Sequence, residues 1–192
     1  SGKSLLLKTM IGMTTPDLGE VLIDSTPISK ISIRGLRRQV GYLPQEIVLE
    51  TLCLRDLLRE HRDDSDDVLW AMLQEVGLQE RIRALPQQLD TQLDGEEEPL
   101  NSAECKLLAL ARALLRQPSA LLLDEFLVGI PEEAHADLLT LIQKQGCTTV
   151  LVASHESELE IANTIVLLED GTIGCQGKLG SPGLEREVFD LD

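Results

Sequence analysis

Asp124 and Glu125 stand side by side after the apolar run Ala120-Leu121-Leu122-Leu123. Open α/β sheets place their ligands at the carboxyl ends of strands, where such a pair would surface. One acid there can hold Mg²⁺ through water, and its neighbour can polarise an attacking water. The same pair also fits a strand end that is merely solvated. The first four residues, Ser1-Gly2-Lys3-Ser4, decide between these readings. They match the close of the phosphate-binding loop G-x-x-x-x-G-K-S/T. In that loop backbone N–H groups cradle phosphates, the Lys reaches the β/γ-phosphates, and the Ser hydroxyl holds Mg²⁺. The first glycine of the pattern is missing from the sequence.

These groups need a sheet and flanking helices to bring them together, and the chain alternates strand and helix. Residues 4–11 predict a helix whose N-terminus faces phosphate, since its open N–H groups and dipole favour anions. Residues 15–17 form a loop, residues 19–24 a short strand and residues 25–27 its turn. Residues 33–38 predict one or two helical turns. Val40-Gly41-Tyr42-Leu43 is a buried strand closed by Pro44, with Gln45 and Glu46 just beyond. From about residue 51 to residue 115 the chain turns helical, with segments 54–59, 68–76 and 78–85 and a charged loop at 62–67. Residues 106–115 are Leu/Ala-rich, strong helix composition, and Gln117-Pro118 stop them. Residues 120–123 then form a continuous apolar run, as a parallel strand buried on both faces should.

Residues 132–145 predict a helix with Pro131 at its start. Residues 148–153 are a buried strand that ends at Ser154-His155-Glu156. Residues 164–169 and 172–177 flank Asp170-Gly171, a type I′ hairpin signal. Residues 94–98 read as a solvated acidic turn, and the tail after Gly183 as a short polar helix at most. The 51–115 segment reads as a helical lobe inserted into an α/β core. There is no internal repeat and no low-complexity segment.

Composition sets the bounds. The chain has 192 residues, 43% of them hydrophobic, enough for one globular domain with a core. A formal charge of −16 argues against nucleic acid, whose binders carry basic patches. The four cysteines show no C-x-x-C spacing and read as free thiols. No apolar run reaches the length of a membrane span. The chain starts without Met and inside a motif, so a longer protein with a strand before Ser1 is expected.

Gln45 is either a polar loop residue or, beside a phosphate site, an amide that reaches Mg²⁺ or water. His155 is either a helix-capping surface histidine or a γ-phosphate contact that holds Glu125 and the water in register. His135, placed midway along a polar helix, and His61, in a charged run, read as ordinary surface residues. Arg37 and Arg38 read as a solvated face, and Trp70 as packing within the helical lobe.

The order of these pieces resembles the ATP-binding cassette ATPase family. SGKS is similar to the end of its Walker A, GYLPQE to its Q-loop, LLLDE to its Walker B and LVASHE to its H-loop. LNSAE stands where the signature LSGGQ belongs, and NTIVLLEDGTIGCQG is similar to the family's late hairpin. The resemblance spans the whole chain and is nearest the exporter branch. It implies an α/β fold of the P-loop NTPase (RecA-like) type, with a mostly parallel sheet, an inserted helical lobe and a C-terminal β-hairpin. It also implies that residues 1–192 are a partial nucleotide-binding domain.

By the same resemblance, ATP and Mg²⁺ are the ligands. Ser1, Gly2, Lys3 and Ser4 hold the phosphates. Ser4, Gln45 and Asp124 serve the metal, and Glu125, His155 and Gln45 are catalytic. Asn101, Ser102, Ala103 and Glu104 face the nucleotide of a second cassette. The adenine-stacking aromatic would precede Ser1. The partners implied are that second cassette and a transmembrane domain, usually on the same polypeptide, at the cytoplasmic face of a membrane. Hydrolysis powering export is the expected function. A degenerate regulatory cassette, or a soluble cassette ATPase of DNA repair or translation, is the alternative.

Two departures stand out. Side chains at Ser102 and Ala103 replace the signature glycines and hinder close backbone approach. Asn101 with Glu104 three residues on fits a capping box, which would satisfy the helix end internally. After Walker B the sequence reads FLVGIP (residues 126–131) and lacks the family's D-loop Asp.

Overall fold

The structure, a computed structural model, describes residues 2–49, 53–60, 62–93 and 99–184. Ser1, His61, the acidic 94–98 segment and the tail beyond 184 lie outside them. Helix α1 (Lys3–Met10) starts directly after Gly2, which caps it at φ 86° in the left-handed region. A side chain is strained there, so glycine fits. Strands β1 (Leu22–Ile23) and β2 (Thr26–Pro27) form a short hairpin. The strand expected over 19–24 shrinks to two residues, because Asp24 and Ser25 both adopt positive φ and reverse the chain. Helix α2 (Ile33–Gln39) is capped by the Ser32 hydroxyl, which accepts from the Gly35 N–H.

Strand β3 (Val40–Leu43) leads to a helical stretch of α3 (Leu54–Arg59), α4 (Asp66–Glu75) and α5 (Gln79–Arg83). Helix α6 (Ser102–Leu115) follows and feeds strand β4 (Ala120–Asp124). It begins four residues before its Leu/Ala-rich run because the Asn101 cap extends it. A 3₁₀ turn at Glu132–Ala134 precedes α7 (His135–Lys144), so the helix expected from residue 132 starts later. Strand β5 (Thr148–Val152), helix α8 (Glu156–Glu160) and the hairpin of β6 (Ile165–Glu169) and β7 (Thr172–Gly177) complete the order. Asp170 and Gly171 both have positive φ, as a type I′ turn requires.

The central sheet is parallel, in the order β3-β4-β5. Its middle strand obeys the two-residue period of a strand buried on both faces. Leu121 and Leu123 join the large cluster that holds Leu108, Leu110 and Leu114 of α6. That cluster runs on without a break into Leu54, Leu58, Leu69, Leu73 and Ile82 of α3, α4 and α5. Leu122 turns the other way and meets Leu7 and Ile11 of the α1 side. Gly41 lets β3 pass close to α6: a Cβ there would lie 2.8 Å from Leu121 Cδ2 and 3.3 Å from Ala113 Cβ.

Candidate nucleotide site

The register places Leu43 beside Leu123 and Asp124 beside Val152, so the carboxyl ends of all three strands share one edge. Chain reversal beyond each strand then delivers Gln45, Glu125 and His155 to that edge. Gln45 and Glu125, 80 residues apart in sequence, meet there: Gln45 Nε2 donates to Glu125 Oε2 at 2.6 Å. Periodicity alone gave no hint of this contact. Glu125 itself sits at φ 47°, an uncommon conformation for a residue with a side chain.

Asp124 is 2% exposed, and its Oδ1 is buried without a hydrogen-bond partner. The Tyr42 hydroxyl is likewise buried and unpartnered. Burial, helped by the Asp124 charge, pushes that hydroxyl above the usual tyrosine range. A buried carboxylate oxygen without a protein partner can be satisfied by a cation or by water. Mg²⁺ takes oxygen ligands and keeps its waters, so the Asp124 carboxylate, the Ser4 hydroxyl and the Gln45 carbonyl are donors of the kind that could hold it. Gly2, Lys3 and Ser4 lie at the open N-terminus of α1, where the first turn carries no acid to repel phosphate. A Cβ at Gly2 would meet nothing within 4 Å, so the space before the helix is open.

His155 opens α8, and its Nε2 is buried without a partner. Its loop is pinned by Glu158, a carboxylate only 2% exposed. One oxygen, Glu158 Oε2, accepts from Ser154 N at 2.7 Å, His155 N at 2.9 Å and Ser154 Oγ at 3.3 Å. The His155 ring also packs on His135, with centroids 4.7 Å apart. His135 is not a surface residue: it is 6% exposed, and its Nε2 pairs with Ile130 O at 2.9 Å. The sequence did carry a signal for this. His135, Leu138, Leu139 and Ile142 are buried together at helical i, i+3, i+4, i+7 spacing.

The signature segment closes on itself. Asn101 Oδ1 accepts from Glu104 N at 2.9 Å, and Glu104 Oε2 accepts from Asn101 N at 2.9 Å. This is the capping box that the spacing predicts. Arg81 adds a bridge from α5, donating Nε to Glu104 Oε1 at 2.8 Å and Nη2 to Pro99 O at 2.6 Å. Asn101 and Glu104 are thus bonded to each other and to the helical lobe, not to Gln45, Glu125 or His155. Lys106, in the second turn of α6, does reach the Glu125 turn through backbone carbonyls. Burial pushes its ammonium below the usual lysine range, and the Glu125 charge partly offsets that. Among the described residues, no helix is long and apolar enough to cross a membrane.

The family model described as "ABC transporter" matches residues 1–128. The "Uncharacterized ABC transporter ATP-binding protein YfiB" of Bacillus subtilis is 32% identical over 174 residues, covering 90% of this chain and 30% of that protein. The "Multidrug resistance ABC transporter ATP-binding and permease protein" of Lactococcus lactis is 29% identical, over 92% of this chain and 31% of the relative. The solved structure of "a bacterial Atm1-family ABC exporter with ATP bound" superposes with a TM-score of 0.83 at 27% identity. It covers 92% of this chain and 32% of its own. The chain therefore spans about a third of the length of each of these relatives.

Proposed function

The chain belongs to the ABC transporter family, and from that premise we propose that it is the ATP-hydrolysing domain of an exporter. In this reading Gly2, Lys3 and Ser4, with Ser1 before them, bind the phosphates of ATP at the N-terminus of α1. Ser4, Gln45 and Asp124 hold Mg²⁺, whose charge would offset that of the phosphates when bound. Glu125 accepts the proton of the attacking water. Its Oε2 is taken by the Gln45 amide, which orients the carboxylate, and Oε1 is left for water. His155 Nε2, buried and unpartnered, donates to the γ-phosphate. Placement and charge stabilisation carry most of such a reaction. The observation that supports this best is the Gln45–Glu125 bond beside the orphaned Asp124 oxygen, at one sheet edge.

The relatives that combine ATP-binding and permease parts support a transmembrane domain on the same protein, with this chain at the cytoplasmic face. The self-capped signature supports an asymmetric pair. A second cassette supplies an open signature to this chain's Gly2–Ser4 side, and the site built on Asn101–Glu104 turns over slowly. Glu125→Gln in the full-length protein tests the assignment. The amide keeps the shape but is no base, so turnover falls on the order of 10²–10⁴-fold. Binding of Mg-ATP, read with a fluorescent ATP analogue, stays near the wild-type value. Unchanged hydrolysis would remove Glu125 from the mechanism.

A further inference from the structure

Lys106 is a buried cation that the proposed mechanism does not use. It is 5% exposed, and it makes no ion pair among the described residues. Its three ammonium protons go to three backbone carbonyls: Val128 O at 2.8 Å, Glu125 O at 3.3 Å and Phe126 O at 3.4 Å. All three belong to the turn that leaves β4 and begins with Glu125 at positive φ. Carbonyl dipoles that converge on one point repel each other unless a cation sits between them. A residue held in an uncommon backbone conformation persists only where its surroundings over-determine it. Lys106 supplies that over-determination from the opposite element. Its own backbone is fixed in α6, on the face that also buries Ala109, Leu110 and Ala113.

We propose that Lys106 is a positioning residue that fixes the Glu125 turn to the signature helix. Without it the carbonyls of residues 125–128 turn toward solvent and the Glu125 carboxylate leaves the Gln45 amide. Lys106 lies one helical turn from Asn101–Glu104, the end of α6 that resemblance assigns to the partner's nucleotide. One rigid helix therefore carries both the surface offered to the partner and the strut behind this chain's own base. A shift of α6 on association would move the base with it. The FLVGIP segment lacks the D-loop Asp, and Lys106 offers a route between the two sites that does not need it.

The inference rests on Glu125 being the base, so the test separates the two claims. ATPase kinetics, nucleotide binding and hydrogen–deuterium exchange are measured on the full-length protein as wild type, Lys106→Met, Lys106→Gln and Lys106→Arg. Met fills the volume without a donor, Gln keeps two donor protons without charge, and Arg keeps the charge. The expected result is a 10–100-fold lower kcat for Lys106→Met with KM for ATP within about twofold. Gln and Arg should recover part of that loss. Amides of residues 125–130 should exchange at least tenfold faster in Lys106→Met, with the rest of α6 unchanged. A wild-type kcat in Lys106→Met overturns the proposal. So does a loss in which kcat, nucleotide binding and Tm fall together, which is what a purely structural lysine would give. If the wild type itself hydrolyses no ATP, the functional reading fails and exchange alone decides. Faster exchange confined to 125–130 upholds the strut, and unchanged exchange overturns it.

Discussion

Opening the signature should raise activity while lowering stability, and the two effects can be sized separately. The variant is Asn101→Ser, Ser102→Gly, Ala103→Gly and Glu104→Gln in the full-length protein. A unit charge held ~4–6 Å from a phosphate at an effective dielectric of ~20 is repelled by roughly 3–4 kcal/mol. Arg81 bonds Glu104 at 2.8 Å and cancels part of that field. About half the repulsion, roughly 1.5–2 kcal/mol, is a fair residue, equivalent to about 10–30-fold in occupancy at ~1.4 kcal/mol per decade. On the folding side Ser is as good a cap as Asn, and Gln can still complete the box. The loss comes from two glycines in the first turn, about 0.5–1 kcal/mol each. A weakened surface bridge to Arg81 adds at most about 1 kcal/mol. Turnover of the protein without a partner should therefore rise about 10–30-fold while the melting transition of this domain moves to lower temperature. Glu104→Gln alone isolates the charge and should give most of the gain with little loss of Tm. Steady-state ATPase assays and thermal melts on the same preparations check both. If the unmodified protein alone already turns over as fast as the opened one, residues 101–104 do not close the signature to a nucleotide.

Three further outcomes follow from the same geometry. Gly41→Ala forces a methyl group to 2.8 Å from Leu121 Cδ2, and overpacking of that kind costs about 1–3 kcal/mol, visible as a lower denaturant midpoint. Asp124→Asn removes the charge of a buried, unpartnered carboxylate, so the Mg²⁺ concentration for half-maximal ATPase should rise at least tenfold; an unchanged Mg²⁺ titration would take Asp124 out of the metal site. Glu158→Gln weakens charge-assisted bonds to Ser154 and His155 by about 1–3 kcal/mol, so exchange of those two amides should speed up while the β4 amides stay protected.

The sheet and its flanking helices were legible because their signals are local. The apolar runs at 40–43, 120–123 and 150–153, the Gln117-Pro118 stop and the Asp170-Gly171 turn each act within a few residues. The strand over 19–24 is shorter than its composition suggests, because composition says nothing of the left-handed Asp24 and Ser25 that end it. Gln45 and Glu125 share a site in the sequence only through the family resemblance. That their side chains bond each other, across 80 residues, depends on strand order and loop geometry, which the local pattern does not encode. His135 and Lys106 are a different case. Each sits on the apolar face of its helix at i, i+3, i+4, i+7 spacing with buried residues. A polar residue in such a stripe must find a partner inside the protein.

The departures from the family pattern are not scattered. Gly2, Lys3, Ser4, Gln45, Asp124, Glu125 and His155 all match their motifs, and the register and hydrogen bonds draw the last four to one edge of this chain's own sheet. The changes fall at 101–104 and 126–131, positions that resemblance assigns to contact with a second cassette. On the retained side Glu125 holds a positive φ, and one Asp124 oxygen is buried without a protein partner. The altered positions are instead well satisfied: the capping box closes 101–104, and Lys106 gathers the carbonyls of Glu125, Phe126 and Val128. Under the proposed function, a chain that keeps Gln45, Asp124, Glu125 and His155 at one edge while residues 101–104 are bonded among themselves would receive a signature rather than provide one. An asymmetric pair would then use this chain as the Walker side of its faster site.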